Sequence, residues 1–137
     1  MLADAAEELE QVGPEDCDRL DVLEARMEFL TRLRGWEDVA EVGRKMARRY
    51  PEVEAGWIGW AYALREAQRI EESRAVLVEA EPLHGEKSAV LNFNMACYCA
   101  LLGEPQVARE YLARACKLRP EFRKEALDDP DLASLWV

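Results

Sequence analysis

The sequence is poor in the residues that build metal centres. Its 137 residues include one histidine, His84, and no Cys-x-x-Cys pair. The four cysteines are Cys17, Cys97, Cys99 and Cys116. Zinc sites need clustered cysteine or histidine ligands, and disulfide frameworks are typical of small secreted chains. We therefore expect no metal, no cofactor and no disulfide, and we interpret the thiols as small apolar packing groups.

Catalytic motifs are also missing. The chain has no glycine-rich phosphate loop, no nucleophile elbow and no His-Glu metalloprotease motif. The carboxylate pairs are Glu71 with Glu72, Asp128 with Asp129, and Asp16 with Asp18. They fall at predicted helix starts or turns, where capping and solvation explain them without acid–base chemistry. The sequence therefore predicts a protein that is not an enzyme.

Basic residues are scarce near the start, and long apolar runs are absent. The net charge is −10, and the first 30 residues hold ten acidic side chains against Arg19 and Arg26. A nucleic-acid backbone would repel such a surface, so no nucleic-acid partner is expected. The opening MLADAAEELE lacks the basic and then apolar order of a signal peptide. The mostly apolar run 89–102 is too short to span a bilayer. We expect a cytoplasmic protein without membrane insertion.

What the sequence does contain is helical periodicity. β-branched residues are sparse and apolar residues do not alternate, so no strand is predicted. The spacing of apolar residues predicts helices over 2–12, 17–33, 36–50, 54–67, 69–80, 85–102 and 105–117. A short helix, a turn at Asp129-Pro130 and a last apolar triplet of Leu132, Leu135 and Trp136 follow. The fold class is therefore predicted to be all-α.

Two stretches of the chain match each other at a constant offset. When residues 57–82 are shifted by 35 positions onto 92–120, small residues fall on small ones and large on large. Trp60, Ala61, Leu64, Ser73, Leu77 and Ala80 align with Met95, Ala96, Cys99, Ala108, Leu112 and Ala115. An earlier unit fits at an offset of 34 through Leu23, Met27, Leu30, Trp36, Val39 and Pro51. In that unit Gly43 stands at a position that a large residue occupies in the other two units. Pro51 and Pro120 are 69 apart, and we assign the one extra residue to the third unit.

This pattern resembles the tetratricopeptide repeat, a helix-turn-helix unit of about 34 residues. The resemblance implies one domain over 1–137, a right-handed superhelical stack of antiparallel helix pairs. Its parts would be a leading helix at 2–12, repeats at 20–53, 54–88 and 89–122, and a capping segment at 123–137. Terminal repeats need such a cap because each repeat buries its apolar face only against a neighbour. Trp57, Trp60, Leu64 and Met95 would be core residues between helices.

In the family, the first helices of the repeats line a concave groove that binds a peptide or a partner helix. The groove positions carried over to this chain include Glu24, Glu28, Ile58, Tyr62, Arg65, Phe93, Asn94, Cys97 and Leu101. One family branch grips a terminal carboxylate with basic side chains, but Asp21, Glu24 and Glu28 stand where those would be expected. We therefore expect a protein or peptide partner with apolar anchors near Tyr62 and Phe93 and basic flanks.

The resemblance implies a non-catalytic scaffold or adaptor in a bacterial cytoplasm. Three alternatives stay open. The groove at Phe93 and Leu101 can be filled by the chain's own Leu132, Leu135 and Trp136. The repeat surface can instead mediate homo-oligomerisation. The protein can also be an escort chaperone for secreted or assembling proteins.

Overall fold

The computed structural model describes residues 18–136, and this part of the chain is all-α, as predicted. Its α-helices are α1 (Leu20–Arg32), α2 (Trp36–Arg49), α3 (Glu54–Glu66), α4 (Ile70–His84), α5 (Ala89–Leu101), α6 (Pro105–Leu118) and α7 (Phe122–Asp128). A 3-10 helix (Pro130–Trp136) follows them. The helix predicted over 2–12 and Cys17 lie outside the described residues. Among the helices of residues 18–136, none has the length and apolar character needed to cross a membrane.

Two predicted helix boundaries are wrong. Helix α4 does not end at Ala80 but continues through Pro82 to His84. A proline this close to the end of a helix removes one backbone hydrogen bond and leaves the preceding turns intact. Helix α5 begins at Ala89 rather than Gly85, because the Ser88 hydroxyl caps it by accepting a hydrogen bond from the Leu91 N–H at 3.0 Å.

The helix boundaries recur along the chain at nearly constant intervals. The first helices of the three predicted repeats begin at Leu20, Glu54 and Ala89. The second helices begin at Trp36, Ile70 and Pro105. Both series advance by 34 and then by 35 residues. Helix α4 has 15 residues whereas α2 and α6 have 14 each. The extra residue therefore belongs to the second repeat, and its assignment to the third was wrong.

The turns between first and second helices share one backbone conformation. Arg34, Gln68 and Gly103 have φ values of 57°, 66° and 79°. At the end of α1 the Gly35 N–H donates to the Leu30 carbonyl at 3.0 Å, which closes the helix in a Schellman motif. The same motif ends α5. Only Gly103 is a glycine, so the other two turns hold an ordinary L-residue in a conformation that costs roughly 1–2 kcal/mol.

The chain divides into two compact units, residues 1–67 and 68–137. The described part of the first unit contains α1, α2 and α3. Its core is centred on the buried Leu23, Val42 and Met46. Half-buried side chains that pack against this centre are Leu20, Met27, Leu30 and Tyr50. Apolar residues at helical spacing on α1 and α2 thus meet as the sequence pattern requires.

Close backbone contact joins α2 to α3 in the first unit. A Cβ added at Gly43 would lie 2.7 Å from the Trp60 backbone nitrogen. A Cβ added at Gly56 would lie 2.7 Å from the Met46 Cβ. The missing side chain at Gly43 is thus the reason α3 can approach so closely. Trp57 is buried, but Trp60 is only half-buried, so the expectation that both are core residues was wrong for Trp60.

The second unit contains α4 to α7 and the 3-10 helix. Helix α5 is its centre, because all but three of its residues are buried. The 3-10 helix packs on α5 and α7 and buries Leu132 and Leu135. Between α4 and α6, Arg74 forms an ion pair with Glu104, and the Tyr111 hydroxyl donates to the Glu81 carboxylate. The last residues of the chain thus form part of the core of this unit.

Candidate functional site

A groove opens between α1 and α3 in the first unit. Its volume is about 520 Å³. The residues that line it are Glu24, Met27, Glu28, Thr31, Arg32, Met46 and Ala55. Two of these, Glu24 and Glu28, were predicted as partner-binding residues. The helical spacing of α1 brings them to one side, since residues four apart lie one above the other.

Methionine side chains form the floor of this groove. Met27 lies against the backbone of α3 at Gly59. A Cβ added at Gly59 would be 2.5 Å from the Met27 sulfur. The side chain of Met46 closes the bottom from α2. Methionine is flexible and polarisable, so it adapts to apolar groups of different shapes. The floor can therefore accept an apolar side chain without a fixed shape requirement.

The rim of the groove is acidic, and one of its charges is uncompensated. Glu28 accepts a hydrogen bond from Arg32 at 2.7 Å, so this pair is locally neutral. Within residues 18–136, Glu24 has no ion pair or hydrogen-bond partner from another side chain. Thr31 donates its hydroxyl to the Met27 carbonyl at 2.7 Å. Glu24 therefore presents a full carboxylate charge beside an apolar floor.

Three predicted residues lie on α3 but do not line this groove. Tyr62 is exposed, and its ring makes an edge contact with Trp36 at a centroid distance of 5.7 Å. Partial burial raises the pKa of Tyr62, and the nearby Glu66 carboxylate raises it further. Ile58 and Arg65 are half-buried. The first unit thus brings Glu24 and Glu28 together in a groove and leaves Ile58, Tyr62 and Arg65 outside it.

Two of the four predicted residues of the second unit are covered. Phe93 is 8% exposed and packs on Phe122 at a ring distance of 4.9 Å. Cys97 is 5% exposed, with its sulfur 3.9 Å from an Asp129 carboxylate oxygen. Asn94 is half-buried and Leu101 is exposed. The cover over Phe93 is the Phe122 ring, which the sequence did not single out. Phe93 and Cys97 are therefore inaccessible to a partner in this structure.

One cluster has the composition of a metal site. The ligand atoms of Cys97, Asp129 and Asp131 lie within 4.8 Å of one another. Asp129 accepts the Asp131 N–H at 2.9 Å and contacts the Cys97 thiol through its other oxygen. Both carboxylate oxygens therefore have protein partners. These contacts account for the cluster without a metal ion. Asp129 caps the start of the 3-10 helix, and its contact with the Cys97 thiol fits the low exposure of that residue.

The described thiols do not have the properties of nucleophiles. Burial raises the pKa of Cys99, which lies beside Arg74, and burial also raises the pKa of Cys116. A raised pKa keeps the sulfur protonated at neutral pH, and the thiol is a far weaker nucleophile than the thiolate. Cys97 and Cys99 are buried and Cys116 is half-buried, and all three are free. Their environment fits packing residues.

A second groove, which the sequence did not predict, lies between α4 and α6. Its volume is about 650 Å³. Its lining residues are Val78, Glu81, Pro82, Gly85, Glu86, Arg114, Lys117 and Leu118. Val78, Glu81 and Pro82 lie on one side of α4 at i, i+3 and i+4, and Gly85 and Glu86 continue this wall in the turn after the helix. The prediction that the helix ends at Ala80 left Glu81 and Pro82 out of this wall.

No protein-family model matches the chain, and no curated protein matches it significantly.

Proposed function

We propose that this protein is a non-catalytic interaction module of the tetratricopeptide type, acting in the bacterial cytoplasm as a scaffold or adaptor. Its helix pairs would form a right-handed superhelical stack. The groove between α1 and α3 is its binding site for a peptide or partner helix. The partner carries an apolar anchor and basic flanking residues.

The repetition of local structure supports the family assignment. Helix starts advance by 34 and 35 residues, and the left-handed turn residues Arg34, Gln68 and Gly103 advance by the same intervals. A tetratricopeptide unit has about this length and consists of two helices joined by a short turn. Three copies of one helix-turn-helix unit account for residues 20–118 of the chain.

The observation that carries the function is the composition of the α1–α3 groove. Met27 and Met46 offer an apolar floor, and the uncompensated Glu24 stands at its edge. An apolar side chain of a partner would enter over the methionines, while a lysine or arginine beside it would meet Glu24. Complementary charge at a rim mainly steers association and selects the partner.

The test is binding of peptides that combine one apolar anchor with flanking lysines, measured by fluorescence anisotropy. We expect Glu24→Lys to weaken binding by about 3- to 10-fold, since one exposed charge pair is lost and a repulsion replaces it. Glu52→Lys is the matched control, because Glu52 is exposed, carries the same charge and does not line the groove. Circular dichroism of both variants checks that the helices are retained.

A second substitution tests the floor. Met27→Gln retains the length of the side chain and removes its apolar character, and we expect it to weaken the same peptides. If Glu24→Lys and Glu52→Lys have equal effects on the binding of the basic peptides, the α1–α3 groove is not the binding site.

A further inference from the structure

The α4–α6 groove has two walls that run in the same direction. Arg74 pairs with Glu104 and Glu81 pairs with Tyr111, so two cross-links join residues that are 30 apart. Equal spacing at both links means that the helices are parallel and in register there. The helical part of the wall on α4 runs from Val78 to His84, which corresponds to about 9 Å, and Gly85 and Glu86 extend it in the following turn. The groove is thus long enough to contact about two turns of a partner helix.

The apolar side chains that line this groove are exposed to solvent. Val78 is 51% exposed and Leu118 is 43% exposed, on opposite walls. Pro82 lies one turn after Val78 and is also exposed. Large apolar side chains in such a concave arrangement are typical of binding sites rather than of an ordinary solvated surface. An occupant therefore needs apolar side chains spaced one turn apart.

The wall on α6 carries two cations without acidic partners. Within the described chain, neither Arg114 nor Lys117 forms an ion pair with a carboxylate. The Arg114 guanidinium lies over the Tyr111 ring at 5.0 Å, and the Tyr111 hydroxyl is fixed by Glu81. This stacking restricts Arg114 to one side of the groove. Glu81 and Glu86 line the same groove from the α4 side, so its positive charge is confined to the α6 wall.

We propose that the α4–α6 groove binds an acidic amphipathic helix of another protein. Its apolar stripe covers Val78, Pro82 and Leu118, and its carboxylates face Arg114 and Lys117. Glu86 on the opposite wall disfavours acidic residues there, so the charges fix the orientation of the bound helix. This mode of recognition is the docking of a helix in a groove.

The experiment uses two helical peptides with leucines at i, i+4 and i+7. One carries glutamates on the flank next to the leucines and the other carries lysines in the same places. Binding to the full chain is measured by fluorescence anisotropy. The two peptides are compared on the full chain carrying Glu24→Lys, in which the α1–α3 groove no longer favours lysines. There we expect the acidic peptide to bind at least about tenfold more tightly than the basic one, because its carboxylates pair with Arg114 and Lys117 whereas lysines would be repelled.

Matched variants locate the site. Lys117→Glu should lower the affinity for the acidic peptide about tenfold, whereas Lys124→Glu, on the exposed surface of α7, should not. Leu118→Ala should weaken binding and Leu127→Ala should not, although both leucines are exposed. All four positions are exposed, so the variants are expected to fold.

The outcomes separate this site from the α1–α3 groove. Glu24→Lys should leave the acidic peptide unaffected, and Lys117→Glu should leave the basic peptides of the other groove unaffected. Loss of acidic-peptide binding in Lys124→Glu as well as Lys117→Glu would assign it to overall charge and overturn the proposal. Failure of the acidic peptide to bind would also overturn it, as would acidic-peptide binding that Leu118→Ala leaves unchanged.

Discussion

Tyr111 connects packing and charge in the second unit through a single side chain. Its hydroxyl donates to the Glu81 carboxylate, and its ring lies under the Arg114 guanidinium. Partial burial, together with the hydrogen bond to Glu81 and the charge of that carboxylate, raises the pKa of Tyr111 to about 12, because each disfavours the phenolate. The neutral hydroxyl is thus the form that holds α6 to α4.

The raised pKa of Tyr111 predicts a loss of stability at high pH. The folded state retains this proton more strongly than the unfolded chain, whose tyrosine pKa is about 10. The contribution of Tyr111 is complete below about pH 10 and is lost as the pH rises toward about 12. Urea unfolding of wild type and Tyr111→Phe between about pH 8 and pH 11.5 checks this. The difference between the two should shrink as the pH rises, and a constant difference would contradict the assignment.

At the scale of elements, contact between α2 and α3 depends on glycines. Gly43 meets the backbone of Trp60, and Gly56 meets Met46 and the backbone of Ala47. Rigid backbone atoms cannot move aside for an added methyl group. Gly59 is different, since its nearest neighbours are the sulfur and terminal carbon of Met27, which belong to a flexible side chain. The three glycines therefore have unequal tolerance of substitution.

Gly43→Ala should destabilise the protein and Gly59→Ala should not. Alanine favours a helix over glycine by up to about 1 kcal/mol, which acts equally at both positions. At Gly43 the helices must separate, and overpacking of this kind costs about 1–3 kcal/mol, so a net loss results. At Gly59 a rotamer change of Met27 can make room. Thermal unfolding followed by circular dichroism compares the two variants, and equal melting temperatures would show that the close contact is not limiting.

The sequence predicted the helices and their order because apolar periodicity is a local property. The resemblance to the tetratricopeptide repeat gave Glu24 and Glu28 as groove positions, and both line the α1–α3 groove. The sequence failed where a distant residue decides the outcome. Phe122 covers Phe93 from 29 positions away along the chain, and no local pattern specifies that contact. Trp60 is another example, because its partial exposure depends on how α2 and α3 meet.

At the scale of the whole molecule, the end of the chain has a structural role. Leu132 and Leu135 are buried, the Trp136 indole N–H donates to the Ala126 carbonyl at 3.3 Å, and the 3-10 helix packs on α5. The alternative in which Leu132, Leu135 and Trp136 fill the groove at Phe93 and Leu101 is not supported at either position, because the ring that packs on Phe93 is Phe122 and Leu101 stays exposed. The C-terminal segment does contact Cys97 through Asp129.

Deletion of residues 129–137 should therefore lower stability strongly. Removal of Leu132 alone as a core side chain corresponds to about 2–5 kcal/mol, and the deletion also uncovers apolar surface on α5. We expect a lower melting temperature and increased binding of the dye anilinonaphthalene sulfonate. Leu132→Ala should reproduce part of the effect, whereas Leu127→Ala, at an exposed position, should not. An unchanged melting temperature of the shortened chain would exclude a role of this segment as a cap.

The left-handed turns have a consequence for chemical synthesis of the protein. Arg34, Gln68 and Gly103 have positive φ values, which is the backbone region that mirror-image amino acids prefer. A D-residue at any of these three places would adopt the native turn without the steric conflict that an L-residue meets there. The turns are therefore the natural positions at which to introduce a D-amino acid, as a probe or as a block to proteolysis, while the helices on both sides keep their L-residues.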